Sequence, residues 1–299
     1  MVITKQKNPS IKLGKFKGIK MIKAIGIVGH GFVGQSTSFG FSPVVQVYVH
    51  DKDPLRSANT LEETVNNSDV IFVSVPTPMN SDGSINLDII HNAFKEISEV
   101  NKRKDNVVVL KSTVVPGTTQ KLAKKYDKLN IVFNPEFLTE RKAKFDFLNQ
   151  SRIVLGGDKK HIDKVEELYT MRFKNHNFVK TDYKTAEFIK YFGNVFFSVK
   201  VSFMNEMKRV ANEVGVDWQK ALHGFVADGR VGDSHLNVPG PDGKLGFGGS
   251  CFPKDINAFI SFAEDLGLNV NVVKAAWETN LEVRPERDWE NLKGRAVIE

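Results

Sequence analysis

A single cysteine in 299 residues excludes a disulfide within the chain and suits the reducing cytoplasm, where the protein is expected to reside. No apolar run reaches the roughly 18 residues needed to cross a bilayer, so no membrane partner is expected. The seven histidines form no pair at metal-ligand spacing, so no metal is expected. Residues 1–23 contain no acid, but they do contain seven lysines, from Lys5 to Lys23. Without those seven, 35 basic residues face 35 acidic ones, so the net charge of +7 belongs to this leading segment. Residues 1–20 therefore read as a solvated basic extension without the apolar core of a signal peptide. The neutral body carries no nucleic-acid footprint.

The chain is long enough for two domains. From Lys23 onward, apolar runs of strand type alternate with helical stretches. The runs are Ala24–Val28, Val44–Val49, Val70–Val75, Val107–Leu110, Ile131–Phe133 and Ile153–Leu155. Leu87–Val100 and Thr118–Lys125 read as helices. This pattern predicts an α/β, Rossmann-like domain with a parallel sheet over residues 21–180. The character then changes. From Thr185 to Val214 there is no proline, and Phe188, Ile189, Phe192, Phe196, Phe197, Phe203 and Met207 lie nearly all round one long helix. A helix apolar on most sides is expected to be buried, at the joint of a dimer or between domains. Further helices fit Trp218–Val226, Pro253–Leu266 and Val270–Glu282. Residues 181–299 are thus expected to form a helical domain built on a long central helix.

The first strand runs into Gly29-His30-Gly31-Phe32-Val33-Gly34, a Gly-x-Gly-x-x-Gly turn between strand and helix. Its first glycine allows the tight turn, the second lets backbone approach a pyrophosphate, and the third packs helix on strand. The next strand ends at Asp51, where a carboxylate would bind the ribose 2′-hydroxyl and repel a 2′-phosphate. NAD is therefore the expected cofactor, in preference to NADP.

Gly248-Gly249-Ser250-Cys251-Phe252-Pro253-Lys254-Asp255 places the lone thiol just ahead of a proline-started helix. The helix dipole there is expected to favour thiolate. The preceding glycines leave room for a substrate. Lys190 and Asn194 share one face of the long helix. A buried Lys190 requires a carboxylate, a phosphate or a reacting oxygen as partner, or else it forms a structural ion pair. Asn134-Pro135-Glu136-Phe137-Leu138-Thr139-Glu140 brings two carboxylates to the carboxyl end of the sheet. Lys111-Ser112-Thr113 also follows a strand, where its hydroxyls can bind water or cofactor, or simply cap a turn.

Taken together, these motifs resemble the UDP-glucose/GDP-mannose dehydrogenase family from about Met21 to Glu282. The matching residues are Gly29–Gly34, Asp51 with Arg56, Val75–Pro78 including Thr77, Lys111–Thr118, Asn134–Leu138, Ala186-Glu187 with Lys190 and Asn194, Asn205-Glu206, Asp228 with Arg230, and Gly246–Asp255. The resemblance implies a four-electron oxidation at C6 of a nucleotide sugar. A first hydride passes to NAD and leaves an aldehyde, which Cys251 traps as a thiohemiacetal. A second hydride transfer leaves a thioester, which water hydrolyses to a uronate. By the same matching, Lys190 and Asn194 stabilise the oxyanion. Glu136, Asp255 and Thr113 position or activate water, and Glu140 shares that role. Gly29, Gly31, Phe32, Val33, Gly34, Asp51, Arg56, Thr77 and Thr113 would hold NAD. Phe137, Leu138, Lys190, Asn194, Phe247, Gly248 and Gly249 would hold substrate, and Arg230 would reach the neighbouring subunit's site in a homodimer.

Pro135–Leu138 argues against the branch of the family that oxidises N-acetylmannosamine nucleotides. Ser151–Gly156 looks more like the enzymes of UDP-glucose than those of GDP-mannose. Two departures stand out. Only 24 positions separate Asp51 from Val75, so a helical excursion is expected to be missing. The sequence stops at Glu299, and Arg295–Ile298 looks like the first strand of a further nucleotide-sugar-binding domain. A naturally short form is expected. Two other readings remain open at this point: a two-electron hydroxyacid-type dehydrogenase that ignores Cys251, and a non-catalytic dinucleotide-binding module.

Overall fold

A computed structural model describes residues 21–174 and 176–299, so the basic extension over residues 1–20 lies outside the described residues. In chain order the first half comprises β1 (Ala24–Val28), α1 (Phe32–Phe41), β2 (Gln46–His50), α2 (Leu61–Asn66), β3 (Val70–Val73), α3 (Asp88–Val100), β4 (Val107–Leu110), α4 (Thr118–Lys125), β5 (Asn130–Phe133), α5 (Ala143–Leu148), β6 (Ile153–Gly157), α6 (Lys159–Arg172) and β7 (Phe178–Thr181). The second half holds α7 (Tyr183–Glu213), α8 (Trp218–Val226), α9 (Phe252–Asp265) and α10 (Asn271–Val283).

The strands form one sheet in the order β2-β1-β3-β4-β5-β6-β7. Every neighbouring pair is parallel except β5–β6, which is antiparallel. The α/β class is as expected from the sequence, whereas the reversed pair and the strand β7 are not. Within the strands, alternate residues feed two cores. Val70 and Phe72 join the layer of Phe41, Phe147 and Tyr169, while Ile71 and Val73 join that of Ile90, Phe94 and Leu122. Burial on both faces explains why these strands read as unbroken apolar runs rather than alternating ones. The short link between β2 and β3 still holds a helix, the six-residue α2, whose Thr60 and Glu63 form a capping box.

Helix α7 begins at an Asp182 cap that accepts from the Thr185 N–H at 3.0 Å. Its 31 residues give it a length of about 46 Å. Ala186 is buried in the sheet's second core, and further along the helix packs on α9 and α10. The expectation of burial all round is corrected here. Glu187, Lys190, Asn194, Ser198, Ser202 and Asn205 face inward, while Phe188, Phe192, Phe196, Phe203 and Met207 stand exposed. The inner face is mixed: Lys190 and Asn194 border the site described below, Glu187 accepts from the Gly117 and Thr119 N–H groups, Ser202 donates to Ala276 O, and Tyr191, Val195, Met204 and Ala211 pack among them, which leaves an aromatic face outward in the single chain.

The last residues return to the sheet half. Met79 N–H donates to Ala296 O at 2.9 Å and Ile298 N–H to Met79 O at 3.0 Å. Among the described residues, no helix is long and apolar enough to cross a membrane. Nor does any group of three or more His, Cys, Asp or Glu among them have metal-binding geometry.

Candidate active site

The strand order reverses around β1, between β2 and β3, and ligands bind at such a switch point beyond the carboxyl ends of the strands. A cleft of about 710 Å³ opens there. Its walls come from the ends of β1 (Gly29, Gly31, Phe32, Val33), β2 (His50, Asp51), β3 (Ser74–Thr77), β4 (Lys111–Thr113) and β5 (Glu136, Glu140). Ser250, Cys251, Lys254 and Arg295 close it from the helical half.

The glycine loop has the geometry that its spacing predicts. Gly29 has φ +89°, a left-handed conformation that other residues rarely adopt. A Cβ on Gly34 would lie 2.1 Å from Gly29 O, so only glycine lets α1 come this close to β1. A Cβ on Gly31 would meet nothing within 4 Å, and the open space faces the cleft. Asp51 Oδ2 accepts from His30 N–H at 2.5 Å and Oδ1 from Asp53 N–H at 2.9 Å, which fixes the carboxylate on the cleft wall. Arg56 lines the same end and pairs with Asp53 at 3.2 Å. Thr77 and Thr113 are buried on the wall, and the Ser112 hydroxyl donates to Val75 O at 2.7 Å. These residues fit a dinucleotide: a free helix N-terminus with room for phosphate, and an acid one strand over for a ribose.

At the other end of the cleft, Cys251 immediately precedes α9. Burial and neighbouring charges work against the thiolate that the helix dipole was expected to favour. Burial, and after it the charge of Glu136, push the thiol above its usual range, while Lys190 pulls it down less strongly. Asp255 also raises it, and Lys254 acts the other way. The carboxylates and the loss of solvent together outweigh the lysines.

Behind the cleft wall lie two coupled ion pairs. Lys190 Nζ is 3.1 Å from Glu136 Oε1, with both side chains buried. Burial alone would lower the Lys190 pKa, but Glu136, Asp255 and Cys251 together raise it. Asn194 Nδ2 donates to Asp255 Oδ2 at 2.5 Å, and Asp255 Oδ1 pairs with Lys254 Nζ. Of the expected group, Cys251, Lys190, Glu136, Asn194 and Asp255 thus gather at one end of the cleft, Thr113 lies on its wall, and Glu140 lies beside Phe32 and Gln35 of α1. Cys251, Glu136, Thr113 and Glu140 are on its surface, and Lys190, Asn194 and Asp255 are one layer behind. Glu140 pairs with Arg295 at 2.6 Å.

Other expected substrate residues lie elsewhere. Phe137 sits under Arg152 and Lys190, with ring centroids 4.1 Å and 5.5 Å away, and Leu138 N–H donates to Glu136 Oε2 at 2.6 Å. Phe247 is buried against Phe252 and Trp277. Arg230 is 87% exposed, paired with Asp228, and does not line this chain's cleft.

Sequence reasoning missed the clamp on the cysteine loop. Asn205 Oδ1 accepts from Gly246 N–H at 3.2 Å, and Asn280 exchanges hydrogen bonds of 2.7 Å and 3.0 Å with Phe247. Buried Arg284 ties Asp242 (2.8 Å), Asp288 (2.6 Å) and Leu245 O (3.1 Å) together. A Cβ on Gly248 would strike this guanidinium at 2.4 Å. Asn280 and Arg284 gave no signal of the clamp, because the loop residues they hold lie 33 to 42 positions away; only Asp288 is a local partner of Arg284. Lys254 was visible in the cysteine motif without a role.

Residues 43–173 match the NAD-binding domain, and residues 184–282 the central domain, of the UDP-glucose/GDP-mannose dehydrogenase family. The chain belongs to that family. It is 33% identical over 296 residues to UDP-glucose 6-dehydrogenase YwqF of Bacillus subtilis, with 86% of this chain and 65% of YwqF covered. It is 35% identical over 272 residues to UDP-glucose 6-dehydrogenase AglM of Haloferax volcanii, with 86% and 61% covered. Among solved structures it superposes on a UDP-glucose dehydrogenase from Pyrobaculum islandicum with TM-score 0.78 and 30% identity. That match covers 91% of this chain and 71% of the other. The chain therefore spans somewhat less than two thirds of the length of these two curated relatives.

Proposed function

We propose that this family member oxidises the C6 alcohol of a nucleotide sugar to a uronate, with UDP-glucose as substrate and NAD as oxidant, in the cytoplasm and as a homodimer. One observation carries the reading. A single continuous cleft joins the glycine loop and Asp51 at one end to Glu136 and Cys251 at the other. A dinucleotide laid along it brings its reactive ring toward the thiol. NAD, when bound, supplies the hydride acceptor for both oxidations.

The chain's residues do the rest. Lys190 and Asn194 stand behind the reacting carbon and stabilise negative charge on its oxygen. The Cys251 thiol, protonated at rest, gives up its proton as sulfur adds to the aldehyde carbon, forming the C–S bond of a thiohemiacetal. After the second oxidation the carbon is a thioester. Water, oriented by Glu136 with Thr113 and Asp255, adds to it and releases the carboxylate and the thiol. In balance, alcohol, two NAD and one water give carboxylate, two NADH and three protons.

The test counts NADH per substrate consumed across a panel of UDP- and GDP-sugars. The proposal expects two with UDP-glucose, set by the thioester route. A yield of one marks a two-electron dehydrogenase, and no NADH with any sugar marks a binding module. Cys251→Ala should form no uronate yet still bind NAD. In Cys251→Ser the poorer alkoxide leaving group should let an acylated adduct accumulate, visible by intact mass. Full four-electron turnover in both variants would reduce Cys251 to a packing residue.

A further inference from the structure

Of the buried charges that the reaction outlined above leaves unused, one lines the cleft without an ion-pair partner among the described residues. Lys111 follows β4, lines the cleft and is only 3% exposed. Its ammonium donates to Asn134 Oδ1 at 2.9 Å and to Asn134 O at 3.3 Å. Among the described residues, no carboxylate lies within ion-pair distance of it, whereas neighbouring Lys190 and Lys254 each have one. A buried ammonium held only by neutral acceptors is costly, so its retention at the cleft calls for a reason.

The groups around Lys111 come from four elements. β3 presents the Phe72 ring, 5.9 Å from the ammonium. α6 presents the Tyr169 hydroxyl, which donates to the same Asn134 Oδ1 at 2.7 Å and which burial keeps a neutral phenol. β6 accepts the Asn134 Nδ2 at Val154 O, 2.8 Å away, and so fixes which end of the amide faces the lysine. The segment after β5 contributes Glu136, whose charge draws on the ammonium, and α7 contributes Lys190, which repels it. Burial is the largest influence and brings Lys111 down to about 8. Glu136 and Lys190 are also the two groups that act most strongly on the Cys251 thiol after burial. Lys111 lines the same cleft as Cys251 and holds Asn134, two positions before the Glu136 that pairs with Lys190, which ties it by geometry to the surroundings of the sulfur.

We propose that Lys111 is a positioning residue: through Asn134 it fixes the segment that presents Glu136 to Lys190, and its positive charge sets how tightly the Cys251 thiol holds its proton. Its effect on turnover rests on the dehydrogenase reading; its effect on the thiol does not. The sign follows from charge. While Lys111 is protonated, the extra cation favours thiolate. Once the proton leaves, the thiol holds its own more tightly, and the gain in thiolate with rising pH flattens.

The test exploits the single cysteine. The rate of Cys251 alkylation by iodoacetamide is followed against pH with no nucleotide present. The wild-type chain should show two inflections, one of them near 8, where Lys111 titrates. In Lys111→Arg the inflection near 8 should vanish, because a guanidinium keeps its charge. In Lys111→Met alkylation at neutral pH should slow by about three- to tenfold, the effect of shifting the thiol by half to one pH unit. A wild-type curve with no inflection near 8 overturns the proposal without recourse to any variant, and so does an inflection that survives in Lys111→Arg. With UDP-glucose and NAD, wild-type kcat should fall above about 8 while KM holds, and Lys111→Arg should carry the plateau to higher pH. A chain without turnover refutes the dehydrogenase reading alone, since the alkylation profile still decides the role of Lys111.

Discussion

Asp51 is held by two backbone N–H groups, and its own N–H donates to the Ser57 hydroxyl at 3.1 Å. A carboxylate so anchored cannot swing away from an incoming phosphate. It meets a ribose hydroxyl as an acceptor and a 2′-phosphate as a like charge. Asp51→Ser should therefore narrow the gap between NAD and NADP by about tenfold or more, roughly the worth of one charged hydrogen bond. Fluorescence titration with both cofactors measures this, and a wild-type chain that already prefers NADP would remove Asp51 from the ribose site. Asp51 was legible in the sequence because strand, glycine loop and acid fall within one βαβ unit. The protonation of Cys251 was not. Its place before α9 could be read locally, but Glu136 reaches it from a segment more than 100 positions earlier. The same distance hid the setting of Lys111, whose contacts run through Asn134 to Tyr169.

At the scale of elements, the three glycines of the first turn do separable work. Gly34→Ala would drive a methyl into backbone at Gly29 O, which no rotamer can relieve, because the clash is between Cβ and main chain. The expected cost is about 1–3 kcal/mol of stability, read from urea unfolding. Gly31→Ala meets open space and should leave that unfolding curve in place, yet weaken NAD binding, because its methyl occupies the room a pyrophosphate needs. Equal loss of stability in both variants would contradict this division. Six of the seven strands and most of the longer helices, though not α6, announce themselves in the sequence, and for all six strands but the edge strand β2 burial on both faces makes continuous apolar runs. β7 escaped because Phe178-Val179-Lys180-Thr181 is a partly exposed edge with only two apolar residues. The reversed direction of β6 escaped because an apolar run has no polarity along the chain. For α7 the periodicity gave the helix but not its orientation. Its inward polar residues tie it to neighbouring elements, as Glu187 and Ser202 do, or serve the site, as Lys190 and Asn194 do.

At the scale of the whole molecule, that orientation leaves an unusual surface. Phe188, Phe192, Phe196, Phe203, Met207 and Val210 along α7, with Val214 at its C-cap, are all exposed, at steps of three, four or seven residues. Those steps keep them on one stripe of the helix, the pattern by which two helices pack together. A second copy of the chain, meeting this stripe with its own, would bury it symmetrically. Sedimentation at micromolar concentration should therefore show a dimer. Phe192→Asp removes an aromatic contact from each copy and places charge at the joint. It should weaken association by at least about 100-fold, the effect of losing roughly 3 kcal/mol of apolar burial. The same assembly gives Arg230 a use, since it is exposed and does not line its own cleft. If it completes the partner's site, Cys251→Ala and Arg230→Ala chains should each be inactive alone and active when mixed. Random exchange makes half the dimers hybrid, and each hybrid holds one site with both residues intact, so about a quarter of wild-type turnover should return. A wild-type chain that sediments as a monomer, or a mixture that regains nothing while hybrids demonstrably form, would place Arg230 outside the reaction.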